Sequence, residues 1–217
     1  MRSRDADRFD HDDEADRYDA EVADESHLIR RGYGACLRAL SEDLRRGPGP
    51  AELPIVDLGA GTGALTAQMP LDRKVVAVDI SQKMLAIARS KLAGRPVEFV
   101  RADLLAWVTE GEGPLGTVAS TFALHHLHPD EKRVFIETLA ERMAPGARLC
   151  IGDLGFSDAA AQAQMMADPA IDPGVSEAVA DEYFWHWDVA ESQLRQLGFR
   201  VRRRQHGPLI SSVVAVR

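Results

Sequence analysis

A chain of 217 residues with a formal net charge of −8, 45% hydrophobic and 28% charged residues has the size and balance of one globular domain with a single core. No stretch approaches the roughly 18 consecutive apolar residues of a membrane span, and an acidic chain is poorly suited to grip nucleic acid through a general basic surface. Cys36 and Cys150, the only two cysteines, lie far apart in apolar patterns, so they read as small buried hydrophobes and no metal site is expected.

Residues 1–27 hold eleven Asp or Glu against four Arg. So acidic a front predicts a solvated, mobile first dozen residues, and its lack of an apolar signal-type core predicts a cytoplasmic chain. From Leu28 to Leu44 the apolar positions Ile29, Tyr33, Cys36, Leu37, Leu40 and Leu44 form one helical stripe. Gly47-Pro48-Gly49-Pro50 then stops the helix.

Short strands and helices alternate from there. Strands are predicted over Pro54 to Leu58, Lys74 to Val78, Val97 to Arg101, Thr117 to Phe122 and Arg148 to Ile151. Helices are predicted from Gly63 to Met69, from Gln82 to Leu92 behind a Ser81 cap, and from Pro129 to Met143. Alternation of this kind makes a parallel sheet covered on both faces. The ending departs from it. A helix over Val189 to Leu197, closed by Gly198, leads to strands Phe199 to Gln205 and Leu209 to Val216, joined only by His206-Gly207-Pro208. So short a link can only reverse the chain. The fold class is therefore α/β, a Rossmann-like seven-stranded, mostly parallel sheet with an antiparallel C-terminal hairpin.

The run IVDLGAGTG, residues 55–63, places three glycines where the first strand turns into the next element. Bare backbone there permits a sharp turn and lets a ligand lie against the chain at the carboxyl edge of the sheet, although a tight turn alone would also use glycine. Asp79 ends the second strand twenty residues after Gly59, where a carboxylate can accept hydrogen bonds from both ribose hydroxyls of a nucleoside. Asp103 closes the third strand on the same edge. A dinucleotide oxidoreductase shares much of this pattern, but its third glycine falls three residues after the second, and here Gly63 comes two after Gly61.

The set IVDLGAGTG, AVDIS, RADLL and STFALHHL, with the terminal hairpin, resembles the class I S-adenosylmethionine-dependent methyltransferases, especially small bacterial ones related to the ubiquinone and menaquinone C-methyltransferases. The likeness covers roughly residues 53–155 and the topology of the last hairpin. It implies S-adenosyl-L-methionine as cofactor. Gly59, Ala60, Gly61 and Gly63 would face its methionine and ribose portion, Asp57 would order that loop, and Asp79 would hold the ribose hydroxyls. Ile80 and Met84 would flank the adenine, Asp103 and the backbone of Leu104 would meet its edge, and Phe122 and Ala123 would lie near the sulfonium. Tyr18 resembles the aromatic member of an aromatic-acid pair before the lid helix of similar enzymes.

Methyl transfer from a sulfonium depends on alignment in a dry pocket, with a base needed only for an acceptor that holds its proton. His126 and His125 follow the fourth strand and are the candidate catalytic imidazoles. Asp153, after the fifth, could orient a histidine or bind the acceptor, and His128 reads as a helix cap. Residues 154–188 form an insertion carrying Tyr183, Phe184, Trp185, His186 and Trp187, expected to wall a substrate pocket. One domain is thus laid out as an N-terminal extension and lid helix (1–50), a cofactor-binding core (51–153), a substrate lid (154–188) and a final helix and hairpin (189–217). The expected partner is a small-molecule acceptor, with no nucleic acid and no membrane, and a homodimer is compatible with the sequence. RNA or protein methylation, or cofactor binding without methyl transfer, are the alternative readings.

Overall fold

The computed structural model describes every residue except Asp10 and Pro48. In chain order the elements are α1 (Ala15–Ala23), α2 (Tyr33–Arg46), β1 (Ile55–Leu58), β2 (Val75–Asp79), α3 (Gln82–Lys91), β3 (Val97–Arg101), α4 (Leu104–Glu110), β4 (Val118–Thr121) and α5 (Pro129–Arg142). They continue with β5 (Arg148–Phe156), α6 (Ala159–Met166), α7 (Pro173–Asp181), β6 (Trp185–His186), α8 (Trp187–Gln196), β7 (Arg200–Gln205) and β8 (Ile210–Val216). Seven strands run in the order β3-β2-β1-β4-β5-β8-β7, and the two-residue β6 pairs with β5 off this path. Only β8, against β5 and β7, is antiparallel. The expected architecture is present, with one additional short strand.

Both faces of the sheet are sealed, which is why β1, β4 and most of β5 are buried without alternation. On one face Cys36, Leu37, Leu40 and Leu44 of α2 pack on Ile55, Ala119, Cys150 and Val214. The other face receives Leu105 and Val108 of α4, Phe135, Ile136 and Leu139 of α5, and Ala190 and Leu194 of α8. Burying each such large side chain contributes about 1.5–3 kcal/mol, so the sheet edge that carries the site rests on a firm base. Both cysteines are buried, and burial pushes each thiol up to about 12.

Several local expectations are corrected. The helix read over Gly63 to Met69 is a single 3₁₀ turn, Thr66–Gln68. Gly63 has φ +83° and Pro70 follows, leaving too few residues to offset the cost of nucleating a helix. The helix read from Leu28 begins at Tyr33, after Gly32 at φ +101°. It ends at Arg46, so Pro48 of the expected linker lies outside the described residues. The fifth strand runs on to Phe156 because β8 pairs with it as far as Leu154 and β6 pairs with Gly155 and Phe156.

The acidic front is not free in solution. Ser3 binds Asp103, the Arg4 amide donates to Glu131, Asp5 meets His128 and Tyr183, and Asp12 accepts from Ser81 and Lys83. Its acids have found specific partners along the carboxyl edge of the sheet, which a count of charges does not reveal. Trp185 and Trp187, expected as pocket walls, are 4% and 1% exposed and stack on each other at 5.3 Å within the core.

Candidate active site

Where β1 ends, the chain turns through Gly59 (φ +68°) and Gly61 (φ +54°). A side chain at Gly59 would strike the Ala123 Cβ at 2.2 Å, so the loops after β1 and β4 touch only because this position is bare. At Gly61 the equivalent space is open. The two glycines line a cleft with Asp79, Ile80, Met84, Asp103, Leu104, Phe122, Ala123, His126 and Tyr18. It encloses about 660 Å³ counting the solvent at its mouth.

Asp79 binds the loop to the next helix: its Oδ2 accepts from the Gly61 amide at 2.7 Å and its Oδ1 from the Ser81 amide at 2.8 Å. Burial raises its carboxyl above the usual range against those hydrogen bonds, leaving lone pairs that further donors would stabilise. Asp103 caps α4 through the Ala106 amide at 2.8 Å and also accepts from the backbone and hydroxyl of Ser3. Phe122 has φ +51°, a rare conformation for a bulky residue, and lies beneath the Arg30 guanidinium at 5.4 Å.

Asp57, Ala60 and Gly63 do not line the cleft. Asp57 is fully buried behind it; burial pushes its carboxyl up to about 7 while the Thr66 hydroxyl, 2.5 Å away, pulls it down. Its Oδ1 has no hydrogen-bond partner, so it ties the turn through one oxygen only. Ala60 is 8% exposed and its amide donates to Val78, and a side chain at Gly63 would press on Leu92 and Ala88.

His126 enters the cleft from the 3₁₀ turn Leu124–His126. Burial first, then His125, His11, Arg30 and Lys132, hold its imidazole well below 6.5, so it is neutral at physiological pH. Phe9 stacks on it at 4.0 Å and His11 Nε2 lies 3.3 Å from its Nε2. His125 faces away from that cleft into a second one, shared with Arg30, Leu154, Val175 and Glu182. Its Nδ1 bonds Asp153 Oδ1 at 2.5 Å, and its Nε2 is 3.7 Å from Glu182 Oε2. Asp153 reaches neither cleft; it also accepts from Trp185 Nε1 at 3.0 Å and the Leu154 amide at 2.9 Å, and so acts through His125. His128 starts α5, with Glu131 reaching back to its amide at 2.9 Å.

No sequence signal marks the strap formed by Ser3, Asp5, Ala6, Phe9 and His11 across the cleft. Also unforeseen was Asp19, next to Tyr18, which accepts from Thr62 of the glycine turn at 2.5 Å and pairs with Lys91. The acid of the aromatic-acid pair was the available signal. Deleting residues 2–13 is expected to raise the cofactor dissociation rate about tenfold, the equivalent of about 1.4 kcal/mol of lost contact, as read by stopped-flow displacement. An unchanged rate would show that the strap does not retain the ligand.

A parallel sheet in this strand order, a glycine turn after β1 and carboxylates closing β2 and β3 define the class I methyltransferase fold. A methyltransferase domain family matches residues 55–146. A methyltransferase of Geobacillus kaustophilus is 31% identical over 168 residues, covering 75% of this chain and 76% of that one. The chain belongs to the S-adenosylmethionine-dependent methyltransferases. Its fold also matches the Synechocystis magnesium protoporphyrin IX methyltransferase with bound S-adenosylmethionine, at TM-score 0.69 and 19% identity over 98% of this chain and 94% of that one. A second match is DhpI in its complex with S-adenosylmethionine and HEP, at TM-score 0.65 and 20% identity over 94% and 96%. The residues present fit the cofactor: open space against Gly61, a buried carboxylate at Asp79, and an aromatic and apolar lining from Phe122, Ile80 and Met84. Among the described residues no helix is long and apolar enough to cross a membrane.

Proposed function

We propose that this methyltransferase acts on a small-molecule acceptor, bound in the cleft of Arg30, His125, Leu154 and Glu182, where that space meets the cofactor cleft. The observation that carries the reading is the adjacent pair His125 and His126, ring centroids 4.1 Å apart, each lining one of the two clefts. The cofactor supplies an activated methyl group on a sulfonium. Gly59 and Gly61 let it lie against the backbone, Asp79 holds the ribose hydroxyls, Ile80 and Met84 flank the adenine, and Asp103 with Leu104 meets its edge. Phe122, Ala123 and Tyr18 enclose the reacting end and exclude water. His126, neutral and poorly solvated, receives the acceptor's proton, while Asp153 fixes His125 in the Nδ1-protonated tautomer with Nε2 facing the acceptor.

Residues 154–188 cover the acceptor through α7 and Phe184, with the chain arranged as one domain. A partly enclosed second cleft and an acidic chain favour a small soluble acceptor in the cytoplasm over RNA or protein. The likeness to quinone C-methyltransferases supports an apolar or aromatic one. Calorimetric titration with S-adenosylmethionine, S-adenosylhomocysteine and NADH, followed by an acceptor screen for S-adenosylhomocysteine release, tests the reading. Binding of the first two with turnover of small acceptors supports it; turnover only with RNA or protein, or binding without turnover, overturns it.

His126→Ala is expected to slow transfer by about 10²–10⁴-fold for an acceptor that must lose a proton, with cofactor affinity nearly intact. The depressed pKa also sets the pH profile: the imidazole stays unprotonated through 6.5, so the wild-type rate should hold as pH falls through 6.5 and drop only well below it. A rate that drops with a midpoint near 6.5, or equal rates for wild type and variant, would remove His126 from the proton transfer.

A further inference from the structure

The two histidines and Glu182 together have the makings of a cation site. One ring nitrogen of His125, one of His126 and one carboxylate oxygen of Glu182 all lie within 4.8 Å of one another. The closest measured pair, His125 Nε2 and Glu182 Oε2 at 3.7 Å, needs little contraction to become two ligands of one ion, since zinc bonds of about 2.0–2.2 Å place tetrahedral neighbours roughly 3.3 Å apart.

Two further observations point to a ligand. His125 donates its other nitrogen to Asp153, itself anchored by Trp185 and Leu154, which is the outer-shell carboxylate that orients a metal-binding imidazole and raises its basicity. In addition, His126 Nδ1 is buried with no hydrogen-bond partner, a state that is unfavourable unless something fills it. We propose that His125, His126 and Glu182 bind a divalent cation of the zinc class between the cofactor cleft and the acceptor cleft, leaving a coordination position open for an oxygen, sulfur or nitrogen of the acceptor.

The local charges permit it. Glu182 faces the site with Asp153 behind His125, and Glu21 and Asp172 stand on the wall of the acceptor cleft against the cation of Arg30. Lys132 is the other cation, held by the Tyr183 carbonyl and over the Trp185 ring. Burial pushes its amine down to about 7, against the pull of Asp153 and Glu182, so much of its charge is gone at neutral pH. Two imidazoles and one carboxylate with an open position form the donor set of a catalytic rather than a structural zinc.

The proposal rests on the reading that the acceptor binds beside this pair. With a cation in place the histidines act as ligands and the acceptor's acidity rises by coordination; without one they act as the base described above. The test does not depend on turnover. Chelator-treated full-length protein is titrated with Zn²⁺ and with Co²⁺, following bound metal by elemental analysis after dialysis and the Co²⁺ visible bands. One ion per chain is expected, with tetrahedral Co²⁺ absorption.

Because His125 is tied into the core through Asp153, its removal endangers the fold. Glu182→Gln, at a side chain 22% exposed, and His126→Ala are therefore the decisive variants, and each should weaken metal binding about tenfold or more. Binding of less than half an ion per chain, or affinity unchanged in both variants, would overturn the site. Calorimetry with S-adenosylhomocysteine on the same samples reports the cofactor cleft separately, so losing the metal and losing the methyltransferase reading are distinguishable.

Discussion

Asp153→Ala should be the most damaging single substitution at the site, lowering stability by about 3–5 kcal/mol, as expected when one member of a buried charged network is removed. Asp153 has no exposed surface. Its loss strands three buried donors at once: His125 Nδ1, Trp185 Nε1 and the Leu154 amide. Each orphan costs about 1–3 kcal/mol, and they are not additive because one relaxation serves all three. For a chain of this length the midpoint of thermal unfolding should fall by roughly 10 °C.

Asp153→Asn discriminates further. It keeps the volume and one acceptor oxygen, so it should cost less stability, but its amide donates to His125 Nδ1 and forces the proton onto Nε2, facing Glu182. Acid should reproduce part of the loss. Burial alone would raise this carboxyl, yet His125, Lys132 and Trp185 hold it below 3.8 in the folded chain. Its stabilisation is therefore present above the unfolded value and is lost as pH falls through the depressed one. A melting temperature unmoved by Asp153→Ala would mean that the His125 bond is not formed in solution.

The residues whose chemistry is dictated by backbone geometry were the readable ones. A turn as tight as Gly59 to Gly63 can be built from few residue types, and a carboxylate closing a parallel strand stands at the ligand edge, so spacing puts Gly59, Gly61, Asp79 and Asp103 on that edge while their roles toward a cofactor come from the family resemblance. Charge and aromaticity were poorer guides. Asp5 and Asp12 read as part of a solvated run, but each has a partner more than sixty residues away, and composition carries no information about such pairings. Trp185 and Trp187 were equally apolar as pocket wall or as core, and they divide: both pack in the core, but Trp185 also lines a cavity with Tyr183, Phe184 and His186. Asp103 followed by Leu104 and Leu105 was a helix start as well as a ligand position; α4, only seven residues long, was missed because the ligand role alone was considered.

Asp79→Ala should weaken S-adenosylmethionine and S-adenosylhomocysteine alike, by about 1–3 kcal/mol, or roughly five- to 150-fold in dissociation constant. Each oxygen of this carboxylate already accepts one backbone amide, from Gly61 and from Ser81. The remaining lone pairs face the cleft, and burial has already raised the free protein's carboxyl. Hydroxyl donors from a ribose would stabilise the ionised form, so binding should strengthen as pH rises through that raised value and weaken in acid. Part of the Ala effect comes from the freed Gly61 and Ser81 amides, and Asp79→Asn separates the two contributions. The amide keeps one acceptor oxygen and most of the loop geometry but loses the charge, so its affinity should fall between wild type and Ala. An interaction with the ribose and not the sulfonium predicts that the ratio of the two cofactor affinities stays constant across all three proteins. A ratio that changed would place Asp79 near the methyl group, and unchanged affinities would put the ribose elsewhere on the sheet edge.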